Sequence, residues 1–269
     1  MRNPSEQPAK DLPAWPEAPA KLTLGRAETC VFSFPLELPG RQLEQAAPVL
    51  SSEERTRAQR FRFARDRDRF VAAHVWLRAI LGRATGRQAA ELELERDAFG
   101  KPALRSGGER DQIRFSLSRS DDLGLVAIRW VEEVGVDLER VRPVDDALAI
   151  ARRMFAAAEH DALHALPRRE QLDAFFGYWT RKEAVVKSLG RGLACPLDGF
   201  VLEARSDAVQ RIELECDGIR MAAWVLSLPA PRPGFVASLA AAAVPGAVTC
   251  WAAHAGWWPG RQPESAGAG

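Results

Sequence analysis

Cysteine is scarce and scattered in this chain. Cys30, Cys195, Cys216 and Cys250 are far apart, and no C-x-x-C pair occurs. That spacing argues against a disulfide framework, so the four read as separate reduced thiols. No run of about 18 uninterrupted apolar residues is present to cross a bilayer, and no basic-plus-apolar signal segment opens the chain. An excess of one charge is missing too. The 37 Lys and Arg nearly balance 36 Asp and Glu, and a net charge of +1 gives no overall pull toward nucleic acid or a membrane. No G-x-S-x-G elbow, Walker loop or dinucleotide glycine fingerprint appears, which argues against the commonest hydrolase and nucleotide folds. With 46% apolar and 27% charged residues over 269 positions, the composition is that of a soluble globular protein of expected cytoplasmic location. It is large enough for one sizeable domain or two smaller ones.

Five prolines before residue 20 predict an extended or disordered leader over 1–21. A beta-like segment follows at Glu28–Phe34. Ser51 with Glu54 three positions later is a capping-box signature, predicting a helix through Arg62. A second helix begins near Asp66, with Phe70, Ala73, Trp76, Leu77, Ile80 and Leu81 at helical spacing. Strands are expected at Ile113–Leu117 and Gly124–Val131, flanking a connection over Ser118–Asp122. Shorter helices are expected over 145–153 and 156–165, ahead of a long helix ending near Gly190. Beyond it the chain turns beta-rich at Gly199–Ala204, Ile212–Cys216, Ala222–Leu228 and Phe235–Ala243. Residues 255–269 look like a flexible tail, with Trp257–Trp258 able to dock. Helices packed on antiparallel strands, twice over, predict an α+β protein of two lobes, 22–134 and 135–254.

Two segments carry the chemistry. In Val134-Gly-Val-Asp-Leu-Glu139, Asp137 and Glu139 alternate with Val134, Val136 and Leu138. A strand would put both carboxylates on one face, with Cα atoms about 6.5–7 Å apart. In the predicted helix over Trp179–Lys187, stepping about 100° per residue puts Glu183 near the middle of an apolar stripe with Leu172, Phe176, Trp179 and Val186. Lys187 falls at its rim, and Arg181 and Asp173 fall opposite, toward solvent. A lone carboxylate turned toward a core is costly unless paired or bound to metal. Three acidic ligands could therefore hold a hard cation such as Mg²⁺, with Lys187 suited to a phosphate. An ordinary Glu183–Lys187 helix pair, worth about 0.3–0.5 kcal/mol, is the plainer alternative.

Seven arginines between Arg55 and Arg69 read either as a solvated helical face or as a surface for phosphate or an acidic protein partner. Nucleic acid is the weaker version, because few aromatics interleave them. His160 and His164 have zinc-ligand spacing but no third ligand nearby, and read as helical surface residues. His74 and His254 are isolated and read as structural. Gly190-Arg191-Gly192-Leu193 is either a glycine C-cap or a place where backbone approaches a ligand.

Together these segments resemble the Sfp-type 4′-phosphopantetheinyl transferases over nearly all of Ser51–Phe200. Gly135-Val-Asp-Leu-Glu139 is similar to that family's Gly-Ile/Val-Asp-Ile/Leu-Glu motif. Trp179 through Leu193 is similar to its W-x-x-K-E-A/S-x-x-K-x-x-G-x-G-L motif. Phe99-Gly-Lys-Pro102 resembles the family's Phe/Tyr-Gly-Lys-Pro turn. Phe115-Ser-Leu-Ser-Arg-Ser120 stands where members carry Phe-Asn-Ile/Leu-Ser-His-Ser. Here Ser116 replaces the usual Asn, and Arg119 replaces the His that helps bind a coenzyme A phosphate. Arginine keeps the positive charge and adds a donor fork. Arg57 falls at the place of a coenzyme-phosphate lysine, whereas Glu54, at another such place, is unsuited to it.

The resemblance implies two similar lobes, each a small antiparallel sheet packed with helices, with coenzyme A in the cleft between them. It implies Mg²⁺ on Asp137, Glu139 and Glu183, Glu183 and Lys187 as catalytic residues, and Lys101, Ser118, Arg119, Arg57 and Arg78 as coenzyme contacts. The partner would be an apo acyl or peptidyl carrier protein, with neither nucleic acid nor membrane involved, and the chain would be a monomer. A non-catalytic coenzyme A or carrier-binding homologue and an unrelated Mg²⁺-dependent phosphohydrolase are the alternatives.

Overall fold

The computed structural model describes residues 15–105, 112–192, 195–203 and 208–259. Most of the leader, the last ten residues of the tail and Leu193 lie outside them. The first lobe begins with β1 (Thr29–Pro35) and α1 (Gly40–Ala46). Helix α2 (Ser52–Gln59) starts as its sequence predicts. Ser51 Oγ accepts from the Glu54 amide at 3.2 Å, and the Glu54 carboxylate accepts from the Ser51 amide at 2.8 Å. This closes a capping box on amides that a helix start leaves unpaired. Helix α3 (Ala64–Thr85) buries Phe70, Ala73, Trp76, Leu77, Ile80 and Leu81, and stops at Gly86 in the left-handed region (φ 74°). A ribbon of β2 (Leu94–Arg96) and β3 (Pro102–Leu104) carries the turn around Gly100.

Next, β4 (Ile113–Ser120) and β5 (Leu123–Trp130) form a tight hairpin. Ser118, Arg119 and Ser120, expected in the connection, belong to β4, and only Asp121 and Asp122 turn the chain. The strand runs further because its serine side chains find partners across the lobe boundary, described below. The second lobe contains β6 (Val134–Arg140), α4 (Ala147–Met154), α5 (Ala157–Ala165), α6 (Arg168–Leu189), β7 (Gln210–Cys216), β8 (Ile219–Leu228) and β9 (Phe235–Ala241). Its sheet runs β6-β9-β8-β7, antiparallel throughout. Helix α6 ends at Gly190 with φ 66°, the glycine cap that is one of the two readings of this segment, and Gly190 and Gly192 also line the cleft described below.

The fold is α+β in two lobes, as expected, with differences at both ends of the chain. Strand β10 (Val248–Ala252), within the range assigned to the second lobe, lies parallel to β1 and completes the first sheet in the order β10-β1-β5-β4. Trp257 and Trp258 are buried in the first lobe, against Phe32 and Trp76 respectively. At the other end Glu17 bridges to Ala252, and Trp15 is buried. The apolar run after Gly199 forms no strand among its described residues, because its backbone groups serve a buried ion pair instead.

Three cores hold the chain. One lies between α3 and the first sheet, and one between α4–α6 and the second sheet. The third joins the lobes: Val31, Leu125 and Ala127 meet Val134, Val136, Leu138 and Leu239. The four cysteines are not all separate thiols. Cys195 and Cys216 form a disulfide with Cα atoms 4.9 Å apart, and Cys30 and Cys250 are free. Sequence separation misled here, because the segment after α6 returns to the end of β7.

The lobes are linked at Val131, a β-branched residue with φ 61° that is 50% exposed. An L-residue in that region carries about 1–2 kcal/mol of strain, and Asn tolerates it better. Val131→Asn is therefore expected to raise stability by about 1 kcal/mol, read as a higher melting midpoint. A lower midpoint would show that Val131 contributes packing the structure does not reveal.

Candidate active site

Strand β6 positions the acidic pair. Its odd residues, Gly135, Asp137 and Glu139, face α6, while Val134, Val136 and Leu138 enter the inter-lobe core. Gly135 permits the approach, since an added Cβ would run into the backbone of Ala184 and Ser188 on α6. Lys187 then reaches across the gap. Its Nζ donates to Asp137 Oδ1 at 2.6 Å and lies 3.2 Å from Ser118 Oγ. The plainer expectation of a Glu183–Lys187 helix pair is therefore not what forms. Glu183 is half-buried, and among the described residues its carboxylate has no hydrogen-bond partner. Burial first, then the charge of Asp137, raises its pKa above the usual carboxylate range. Glu139 is raised as well, chiefly by burial, against the lowering effect of its hydrogen bond from Ser120.

Asp137 is only 4% exposed, and its Oδ2 has no partner among the described residues. A buried acceptor left unmade costs about 1–3 kcal/mol. An orphaned carboxylate oxygen beside two carboxylates with raised pKa values is a donor set suited to a hard cation. As the side chains stand, no group of three or more His, Cys, Asp or Glu among the described residues is disposed around a common ion. The Lys187 ammonium occupies one of the Asp137 oxygens instead.

A cleft of about 330 Å³ opens from this point between α2, α3, the β2–β3 ribbon, β4 and the end of α6. Lys187, Lys101, Arg57 and Arg119 line it. Arg57 and Arg119 hold their guanidiniums over the same Phe70 ring, 5.5 and 5.8 Å from its centroid. Burial and the neighbouring Arg57 charge both lower the Arg119 pKa, though an arginine so placed stays charged. His74 stacks on that ring at 3.9 Å, and its Nδ1 bonds the Phe70 carbonyl at 2.9 Å. Burial pushes it down to about 4, so this histidine is neutral near pH 7. Lys101 is tied to Glu133 Oε2 at 2.5 Å and to the Val134 carbonyl.

Two expected coenzyme contacts, as the side chains stand, are engaged by other partners. Arg78 is 1% exposed and does not line the cleft. It clips Glu54 at 2.7 Å and the carbonyls of Ala89 and Leu92 beneath the floor. This also explains the acid at position 54. Ser118 is buried, and its one donor and two acceptor sites are filled by Asp137, Leu138 and Lys187.

Sequence reasoning missed the other side of α6. Lys182, fully buried, pairs with Glu159 Oε2 at 2.8 Å and donates to the carbonyls of Leu197 and Phe200. Glu159 also accepts from the amides of Ala156 and Leu202. Arg181, expected toward solvent, is buried, donating to the carbonyls of Gly177 and Glu203. The helix is covered on nearly every side, so polarity alone did not mark its solvent face. Glu159 accepts from the amide of the N-cap residue Ala156, but alanine supplies no hydroxyl for a capping box, so no local signal marked it.

Comparison with known proteins identifies the family. Residues 133–243 match a model of the 4′-phosphopantetheinyl transferase superfamily, and residues 39–130 match the N-terminal model of 4′-phosphopantetheinyl transferase. The chain is 38% identical over 180 residues to the 4′-phosphopantetheinyl transferase HetI of Nostoc sp., covering 67% of this chain and 76% of that protein. It is 33% identical to psf-1 of Bacillus pumilus over 65% of this chain and 72% of the relative. With Sfp of Bacillus subtilis the identity is 29%, over 64% and 74%. The chain belongs to the 4′-phosphopantetheinyl transferase superfamily, and is a transferase of the Sfp type. Among the described residues no helix is long and apolar enough to cross a membrane.

The pair beneath the site can be tested directly. Lys182→Met would leave Glu159 charged and unpaired in the core, and is expected to lower the free energy of unfolding by about 3–5 kcal/mol. Urea denaturation reads this, and adding Glu159→Leu is expected to recover only part of the loss, because the carbonyls of Leu197 and Phe200 and the amides of Ala156 and Leu202 stay without their partners. A single variant as stable as the parent chain would contradict the buried pair.

Proposed function

We propose that the chain transfers the 4′-phosphopantetheine arm of coenzyme A to a serine of an apo acyl or peptidyl carrier protein, releasing 3′,5′-ADP. The observation that carries this reading is the meeting of an acid cluster, Asp137 with its unpartnered Oδ2 beside Glu139 and Glu183, with Lys187 at the inner end of a cationic cleft. Asp137, Glu139 and Glu183 would hold Mg²⁺, which when bound offsets charge on the pyrophosphate oxygens. Arg57 and Arg119, paired over Phe70, take a phosphate of the nucleotide end, and Lys101 stands where a second phosphate passes. Arg78 and Ser118 are left out of this contact set.

Glu183, directly or through a water, accepts the proton of the carrier serine. The serine oxygen then bonds to the phosphorus that bears the pantetheine arm, the bond from that phosphorus to the bridging oxygen breaks, and the nucleotide departs. Lys187 neutralises charge on the departing phosphate. Carrier domains that present their serine on an acidic helix would meet the arginine-rich start of α3, beside the cleft, or Arg152–Arg153. The cleft lies within one chain, so we take a monomer as the working form.

Incubation of an apo carrier protein with this chain, coenzyme A and Mg²⁺ is expected to add the mass of one phosphopantetheine arm, and EDTA to prevent it. Phosphate release from coenzyme A without any carrier would overturn the reading in favour of a hydrolase. Glu183→Gln is expected to lower turnover by about 10²–10⁴-fold, with coenzyme A binding less affected. Arg119→Ala is expected to weaken coenzyme A more than its dephospho form. Equal weakening of both would remove Arg119 from the 3′-phosphate.

A further inference from the structure

Strands β4 and β6 are edge strands of their respective sheets, and no backbone ladder joins them. Side chains make the connection instead. The amides of Val136, Leu138 and Arg140 on β6 donate to the hydroxyls of Ser116, Ser118 and Ser120 on β4, at 3.1, 3.2 and 3.0 Å. Alternate residues of a strand share one face, so the three hydroxyls form a rail against the β6 edge.

A hydroxyl that accepts on the rail still has its proton to give. Ser118 donates it to Asp137 Oδ1 at 2.8 Å, and Ser120 donates it to Glu139 Oε2 at 2.7 Å. Each serine thus accepts from one β6 residue and donates to the residue before it. At Ser116 that preceding residue is Gly135, which has no side chain to receive a proton. The same rail bond therefore occurs three times, and a carboxylate contact accompanies only two of them.

We propose that Ser118 and Ser120 are positioning residues that set the two strand carboxylates for a divalent cation. Each holds one carboxylate oxygen against a β6 amide and leaves the other oxygen for the ion. Lys187 shares Asp137 Oδ1 with Ser118 at 2.6 Å, and the buried Oδ2 is left unpartnered. The inference rests on the cation reading given above, and Ser116 supplies a control for it. Removing the Ser116 hydroxyl breaks a rail bond of the same kind without touching a carboxylate.

The test is calorimetric titration of Mg²⁺ into the full chain with coenzyme A present, for Ser116→Ala, Ser118→Ala and Ser120→Ala. Melting midpoints without Mg²⁺ are recorded beside it. All three variants are expected to lose thermal stability, Ser116→Ala least, because it breaks a rail bond alone, and Ser118→Ala most, because Asp137 and Lys187 also lose a partner. Only Ser118→Ala and Ser120→Ala are expected to lose Mg²⁺ affinity, by about 10–100-fold, the usual effect of removing an outer partner of a metal ligand. Ser120→Thr, which keeps the hydroxyl, is expected to retain the affinity. Equal Mg²⁺ affinity in all three alanine variants would overturn the inference while leaving the cation reading intact. If the unsubstituted chain takes up no Mg²⁺, the cation assignment itself fails, and the positioning role with it.

Discussion

The closeness of β6 to α6 is the constraint on which the rest of the site depends. At Gly135 the strand lies against the helix backbone near Ala184 and Ser188, with no room for a side chain. Everything chemical follows within a turn or two of that contact. Asp137 and Glu139 follow Gly135 on the same strand face, and Glu183 and Lys187 bracket the contact on the helix. A wider gap would put Lys187 out of reach of Asp137 and separate the acids whose mutual repulsion helps raise the Glu183 pKa.

Helix α6 is held at this distance from both sides. Toward β6 it has the glycine contact and the Lys187–Asp137 pair. Away from β6, Lys182 is locked into the buried Glu159 pair, which also gathers the backbone of 197–202. Ion pairs of this kind contribute little net stability compared with a well-packed apolar pair, but breaking one is costly. Their value here is geometric. Neighbouring residues on one helix, Lys182 and Glu183, lie about 100° apart around its axis, so fixing the first sets the rotation of the second. The serine rail does the same for β6 from the other lobe.

Much of this was legible in the sequence. Alternation along Val134–Glu139 predicted which residues enter the core and which face the site, because a strand has no other way to sort them. The Ser51–Glu54 capping box and the glycine cap at Gly190 are local, so they could be read locally. What escaped needed distant partners. Ser118 looked like a ligand contact because its motif position suggested one, yet three neighbours saturate it. Arg78 looked available for phosphate, but Glu54 had already claimed it. Arg181 followed helical periodicity to a face that a long-range segment covers. Strand β10 and the Cys195–Cys216 bridge both join residues far apart in the chain, which periodicity and spacing do not report.

The most direct measurement is turnover and unfolding free energy of Gly135→Ala side by side. Overpacking against helix backbone is expected to cost about 1–3 kcal/mol of stability. It should also displace Glu183 and Lys187 relative to Asp137, and a shift of about 1 Å can reduce turnover about 10²-fold. The account predicts a folded variant whose turnover falls far more than its folded fraction. A variant with the parent's turnover and stability would contradict it, by showing that the β6–α6 contact does not set the site.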